Sequence, residues 1–381
     1  MGAITLLVGT TKGLFLVSSD VARKDWQVAG PFCEGWTINH AVGDPITGQI
    51  WAAGGGEWSG AGVWHSADRQ DWRLSKLSDG MVDDWLRNDP DFAKMMGREA
   101  ADPAPFSGKL EAMWSLKQSG DRIFAGGKPA ALYVSDDQGQ NWAEVESLSN
   151  HPSAQDWQPG AAGLTLHTII AHPETLDHLW LGISAAGVFA SEDGGQSWER
   201  RNRLSNAPTC EGHPHPTAPH DGNTGLCVHN MMRASDGTLY QQNHHGTFKS
   251  QDGGRSWDDI GAGLPSNFGF PIAVHPEKPQ TIWTFPLNGD AIGRFPPDAS
   301  AAVSRSRDGG TSWQDCRNGL PQSACYFTVL RQAMAVDCCV ETGLYFGTNS
   351  GSIFASLDEG DSWSEIARHL PTILCVETLA D

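Results

Sequence analysis

The sequence predicts an all-β protein, a seven-bladed β-propeller, and three observations carry that prediction. A box of Ser, Asp, Gly and Trp recurs along the chain, each copy is flanked by short apolar strands, and the copies are spaced by about 50 to 60 residues, the size of a four-stranded blade. Five copies fit Ser-x-Asp-x-Gly-x-x-Trp: Ser135 to Trp142, Ser191 to Trp198, Ser250 to Trp257, Ser306 to Trp313 and Ser356 to Trp363. Two worn copies precede them, Ser66 to Trp72, one residue short, and Ser18 to Trp26, one residue long. The box aspartates are then Asp20, Asp68, Asp137, Asp193, Asp252, Asp308 and Asp358, one for each of seven blades.

Each box fits a tight turn between the third and fourth strands of a blade. Its Gly supplies left-handed backbone, its Asp accepts hydrogen bonds from turn amides, and its Trp opens the next strand and packs between neighbouring sheets. In the fourth blade, Leu166 to Ala171, His178 to Ile183, Gly187 to Ala190 and Ser197 to Asn202 read as four successive strands. Only three strands precede Phe32, near residues 4 to 9, 12 to 17 and 25 to 29, so the first blade lacks its innermost strand. The apolar segment Thr372 to Thr378 is available to supply it. The C-terminal strand is therefore expected to pair with the N-terminal blade, closing the ring and removing exposed sheet edges. Residues 1–381 then form a single domain.

These residue types at this spacing resemble the Asp-box, or BNR, repeat of sialidase-like β-propellers, and the resemblance spans nearly the whole chain. LLVGTTKGLF, LHTIIAHPE, QQNHHGTFKSQDGG and FGFPIAVHPEKP are similar to stretches of bacterial cytosolic proteins labelled BNR-like glycosyl hydrolases. The resemblance implies the propeller and no particular substrate, because the repeat occurs in glycosidases, receptors and assembly factors alike.

Composition narrows the partners. With 26 Lys plus Arg against 45 Asp plus Glu, the net charge of −19 repels polyanions and anionic membranes, so no nucleic acid partner is expected. Eight cysteines without a CxxC pair, two of them adjacent at Cys338 and Cys339, read as free thiols of a reducing compartment. No segment has the length and apolarity of a membrane span, and MGAITLLVGTTKG lacks the basic start and hydrophobic run of a secretory leader. A cytoplasmic location is expected, and the oligomeric state is left open.

Blade connectivity then locates a site. The long loops 78–108, 146–163 and 204–225 join fourth strands to the next inner strands, and 286–301 joins a second strand to a third. All four belong to the face opposite the boxes, which favours a ligand site at the channel mouth. Inner strands line the channel, and four successive blades offer His40, Glu111, His167 and His229 at nearly matching places. Three imidazoles and a carboxylate suit a divalent Fe, Zn, Mn or Cu ion. The alternative for each histidine is a hydrogen-bonded residue beside a water-filled channel.

Other candidates flank this set. His244, beside His245 in a turn on the same face, could be a further ligand, an outer partner or a general base. Arg331 is the cation best suited to hold a substrate carboxylate, or else to pair with Glu377. Trp58, Trp85 and Trp157 are candidate pocket walls. Cys210, His213, His215 and His220 have a metal-binding composition, but their spacing matches no zinc module.

The expected function is a metal-dependent hydrolase, lyase or oxygenase acting on a small molecule, suited to a carboxylate-bearing one, with His244 and Arg331 as the catalytic candidates. Two alternatives stay open. One is a sialidase-like glycoside hydrolase, although the chain has only four tyrosines for a nucleophile and no early Phe-Arg-Ile-Pro motif. The other is a non-catalytic scaffold for protein assembly, which would not need histidines in its channel.

Overall fold

The computed structural model describes residues 2–203 and 222–380. Seven four-stranded antiparallel sheets follow one another around a central axis, and in each the strands pair in simple meander order. The innermost strands are Ile373–Ala380, Ile38–Gly43, Ala112–Ser119, Leu166–Ala171, Val228–Arg233, Gly269–Val274 and Met334–Val336, for blades one to seven. They are short and mix apolar with polar residues, as in Val228–Arg233 (VHNMMR), whereas the next strand of blade one, Ile4–Thr10, is buried at every residue. Ring closure is as expected: Ile373–Ala380 pairs with Ile4–Thr10, from Ile4 opposite Ala380 to Gly9 opposite Cys375.

The boxes form the turns into the outermost strands. In blade four Ser191 Oγ donates to Asp193 Oδ1 at 2.7 Å, and the amides of Gly195 and Ser197 donate to Ser191 Oγ and Asp193 Oδ1 at 2.8 and 2.9 Å. The same three bonds recur in the boxes of blades three, five, six and seven. Gly195 sits at φ 89°, where a side chain would strain the backbone. The box tryptophans tie blades together: Trp198 Nε1 donates to Ser147 Oγ, Trp257 Nε1 to Arg201 O and Trp313 Nε1 to Ile260 O, each on the preceding blade or its loop.

Two departures from the expectations have local causes. The outer strand of blade four is only Glu199–Arg200, not Ser197 to Asn202. Ser197 is committed to Asp193, and the Asn202 side chain accepts the Val188 amide at 2.9 Å in place of a backbone partner. Loop 78–108 contains two short helices, Met81–Asn88 and Pro90–Met96. Asp89 caps the second by accepting the amides of Asp91 and Phe92, and Pro90 opens it. The greater part of loop 204–225, including Cys210, His213, His215 and His220, lies outside the described residues.

Candidate functional site

A repeated irregularity builds the channel mouth. In blades one to six the inner strand carries one extra residue near its start, so the ladder shifts register there. The unpaired residues are Leu374, Asn39, Trp114, His167 and His229 in blades one to five, and the Phe270-Pro271 step in blade six. A bulge re-aims its side chain, and here the bulges set a ring at one height on the face where the long loops emerge.

This ring separates the four expected metal ligands. His167 and His229 are equivalent, but their counterparts in blades two and three are Asn39 and Trp114, not His40 and Glu111. His40 lies one residue past its bulge, where its Nδ1 accepts the Leu116 amide at 2.9 Å and its Nε2 faces Glu377 at 3.1 Å. That contact also takes Glu377 away from Arg331, its expected alternative partner. Glu111 precedes its strand and pairs with Lys128 at 3.3 Å. Among the described residues the group whose donor atoms could share an ion is Cys227, His229 and His244, all within 4.8 Å of one another. Cys227 was legible as the residue two before His229, on the same side of the strand.

The ring divides into two regions. Over blades one to three it opens into a cavity of about 810 Å³, with Leu374, Asn39 and Trp114 at its base. Four carboxylates line it: Glu57, Asp79, Asp84 and Glu111. Asp79 and Asp84 are both held by Arg87, at 2.9 and 2.8 Å. Glu57 makes no ion pair among the described residues, and Glu111 is oriented by Lys128. The rim is bare backbone at Gly55, where an added Cβ would lie 2.0 Å from Gly60 O.

Helix Met81–Asn88 docks on that rim, its Met81 and Val82 amides donating to Glu57 O and Trp58 O at 2.9 and 3.2 Å. The docking brings Trp85 edge-on to Trp58 with ring centroids 5.1 Å apart, and both rings stay exposed, Trp58 by 57%. Trp157, expected beside them, is instead core, packed on Phe189. The cavity carboxylates other than Glu111 were missed in the sequence because they belong to loops whose approach only the folded helix defines.

Over blades four to seven the ring is closed. Gln332 Nε2 donates to His167 O, and Asn230 Nδ2 donates to Arg331 O at 2.7 Å, so blade seven reaches across to blades four and five. His167 is fully buried and neither ring nitrogen has a hydrogen-bond partner. Burial, and then the Arg331 charge, push its pKa well below the usual imidazole value. His229 is shifted the same way by the same two causes, opposed by its bond to Gly269 O at 2.6 Å. Arg331 lies over Phe270, 4.6 Å from the ring centroid. Burial lowers its pKa to about 10, which leaves it cationic at neutral pH. His244 stands beside His229, rings 5.5 Å apart, and its Nε2 is 3.9 Å from Asp290.

Fold and site together define an Asp-box β-propeller with a carboxylate-lined cavity at its loop-bearing mouth. Residues 133–144 match the family model described as BNR/Asp-box repeat. The xyloglucanase of Hypocrea jecorina is 22% identical over 244 residues, 64% of this chain and 25% of that protein. The oligoxyloglucan-reducing end-specific xyloglucanase of Emericella nidulans is 22% identical over 222 residues, 51% of this chain and 25% of that protein. The chain thus spans about a quarter of the length of the curated relatives it matches. Among solved structures, a GH74 xyloglucanase from Xanthomonas campestris superposes with a TM-score of 0.64 at 19% identity, covering 97% of this chain and 53% of that one. These relatives overturn the expected metal-dependent hydrolase, lyase or oxygenase, since they are named as glycoside hydrolases, and they favour the glycoside hydrolase alternative.

Proposed function

We propose that the protein is a glycoside hydrolase of propeller type, acting on an oligosaccharide at the cavity over blades one to three. The observation that carries the reading is a cavity lined by four carboxylates and the Trp114 indole. Most glycoside hydrolases use two carboxyl groups, one to protonate the leaving oxygen and one to act as base or nucleophile. Glu57 and Glu111 are the pair left for this work, because Arg87 holds Asp79 and Asp84. Trp114 lines the cavity, and the exposed Trp58 and Trp85 rings, next in sequence to the lining residues Glu57 and Asp84, offer further flat apolar faces for sugar rings. The names of the relatives supply the substrate class to try first, xyloglucan-derived oligosaccharides.

The test is release of reducing sugar from such an oligosaccharide by wild type, Glu57→Gln and Glu111→Gln. Each variant is expected to lose turnover by about 10²-fold or more while still binding the sugar. Unchanged turnover in both would refute the assignment. A reducing compartment is supported by the free thiols of all seven described cysteines, including Cys338 at the surface. Among the described residues no helix is long and apolar enough to cross a membrane. A carboxylate-bearing ligand, also expected from the sequence, would find Lys109 and Lys128 among the residues lining this cavity.

A further inference from the structure

The turn that joins the first two strands of blade seven, residues 337–343, contains the adjacent cysteines Cys338 and Cys339 and is built around one buried carboxylate. Asp337 Oδ1 accepts the Cys339 and Gly343 amides at 3.0 and 2.9 Å. Its Oδ2 accepts Arg23 Nη1 at 2.7 Å and the Tyr345 hydroxyl at 2.8 Å. Arg23 comes from the worn box of blade one, and both side chains of this ion pair are only 1% exposed. Arg23 Nη2 also donates to Glu341 O in the turn, and the Trp26 ring of the same box meets Tyr345 edge-on, centroids 5.8 Å apart. One carboxylate thus sets the turn with one oxygen and ties blade seven to blade one with the other, at the seam where the ring closes.

The two thiols stand on the outer side of this hub. Cys338 is exposed, and Cys339 is half-buried with its Sγ 4.0 Å from Gly2 O. The peptide between them supplies the Cys339 N–H, so it is itself one of the groups that Asp337 holds. A bond between the two sulfurs would close a small ring through that peptide. Adjacent Cα atoms are about 3.8 Å apart across a trans peptide, whereas disulfides prefer roughly 4.4–6.8 Å, so the ring forms only if the turn rearranges, and it is readily reduced again.

We propose that Cys338 and Cys339 form a reversible redox-modification site, whose co-reactant is a low-molecular-weight disulfide of the glutathione class, and that oxidation there loosens the Asp337 hub. The Cys338 thiolate attacks the small disulfide, forming a mixed disulfide and releasing one thiol. The Cys339 thiolate then attacks the Cys338 sulfur, closing the bond between the two cysteines and releasing the second thiol. Two protein thiols are oxidised, one disulfide is reduced, and the two protons leave on the released thiols. Closure turns the Cys339 N–H away from Asp337, and the carboxylate that holds Arg23 loses one of its donors. The turn partly desolvates the Cys338 thiol, and this burial, then the Asp337 charge, pushes its pKa up, so exchange accelerates as pH rises. The site goes beyond the hydrolase reading, because this turn is on the box face and the cavity is at the opposite mouth.

Mass spectrometry of the full chain after exposure to excess glutathione disulfide, followed by alkylation, tests it. The peptide containing Cys338 and Cys339 is expected to lose two hydrogens, faster as pH rises, and to regain them when reduced glutathione is added. In the oxidised form the Cys339 and Gly343 amides should exchange hydrogen faster by about tenfold or more. Cys339→Ser should stop at a glutathione adduct on Cys338. Should that variant fail to fold, wild type still decides. The proposal is overturned by any of four results: both thiols still fully alkylated after the disulfide treatment, a wild-type adduct that keeps glutathione on Cys338, loss of the same two hydrogens in Cys339→Ser, or an oxidised form whose Cys339 and Gly343 amides exchange as in the reduced one.

Discussion

Replacing His167 with Leu isolates the energetic consequence of burying an unpartnered imidazole at the centre of the ring. In the unfolded chain this histidine takes up a proton near pH 6.5. In the fold, burial and the Arg331 charge hold its pKa well below that value. Below pH 6.5 the unfolded state therefore binds more protons, and stability falls as pH falls. A histidine that stays neutral in the fold contributes a slope of up to about 1.4 kcal/mol per pH unit, and His167 with His229 together about 3 kcal/mol.

His167→Leu should remove about half of that combined slope. At neutral pH the variant should be no less stable than wild type. It relieves two unsatisfied buried nitrogens, each costing about 1–3 kcal/mol, and loses one edge contact with Trp114 worth about 1 kcal/mol. Urea unfolding followed by tryptophan fluorescence at intervals between pH 5.5 and 7.5 measures both effects. An unchanged pH slope in the variant would refute the reasoning.

Three further perturbations probe the ring. Trp257 is fully buried and hydrogen-bonded to the preceding blade, so Trp257→Ala should cost about 3–5 kcal/mol in urea unfolding. Asp193→Ala removes the bonds from Ser191 and Ser197 and should cost about 1–3 kcal/mol. Because the box is on the opposite face, turnover per folded molecule should stay at the wild-type level. Its carboxylate is held at a pKa of about 2, mainly by the Ser197 hydroxyl and amide. That contribution is full above the unfolded carboxylate range near pH 4 and fades as pH falls toward 2. Deleting residues 373–381 strips the partner from Ile4–Thr10, and size-exclusion chromatography should show aggregate in place of the discrete wild-type species.

The boxes were legible in the sequence because their chemistry is local: Ser191, Asp193, Gly195 and Ser197 satisfy one another within a single turn. Ring closure was legible from a missing strand and a spare one, and the loop-bearing face from the alternation of connections. The site was not, because one inserted residue per inner strand decides which side chains meet. Counting along blades two and three placed His40 and Glu111 beside His167 and His229, whereas the bulges put Asn39 and Trp114 there. A shift of one position turns a side chain to the other face of its strand, and nothing in the residue types marks where the extra one falls. The bond from Asn230 Nδ2 to Arg331 O joins blades five and seven and has no signature in either repeat.

The most direct test of the central claim is a reducing-sugar assay on a xyloglucan-derived oligosaccharide, run with and without a metal chelator. The account predicts hydrolysis that survives chelation and disappears in Glu111→Gln. Hydrolysis abolished by chelation, or persisting at the wild-type rate in both Glu57→Gln and Glu111→Gln, would contradict it.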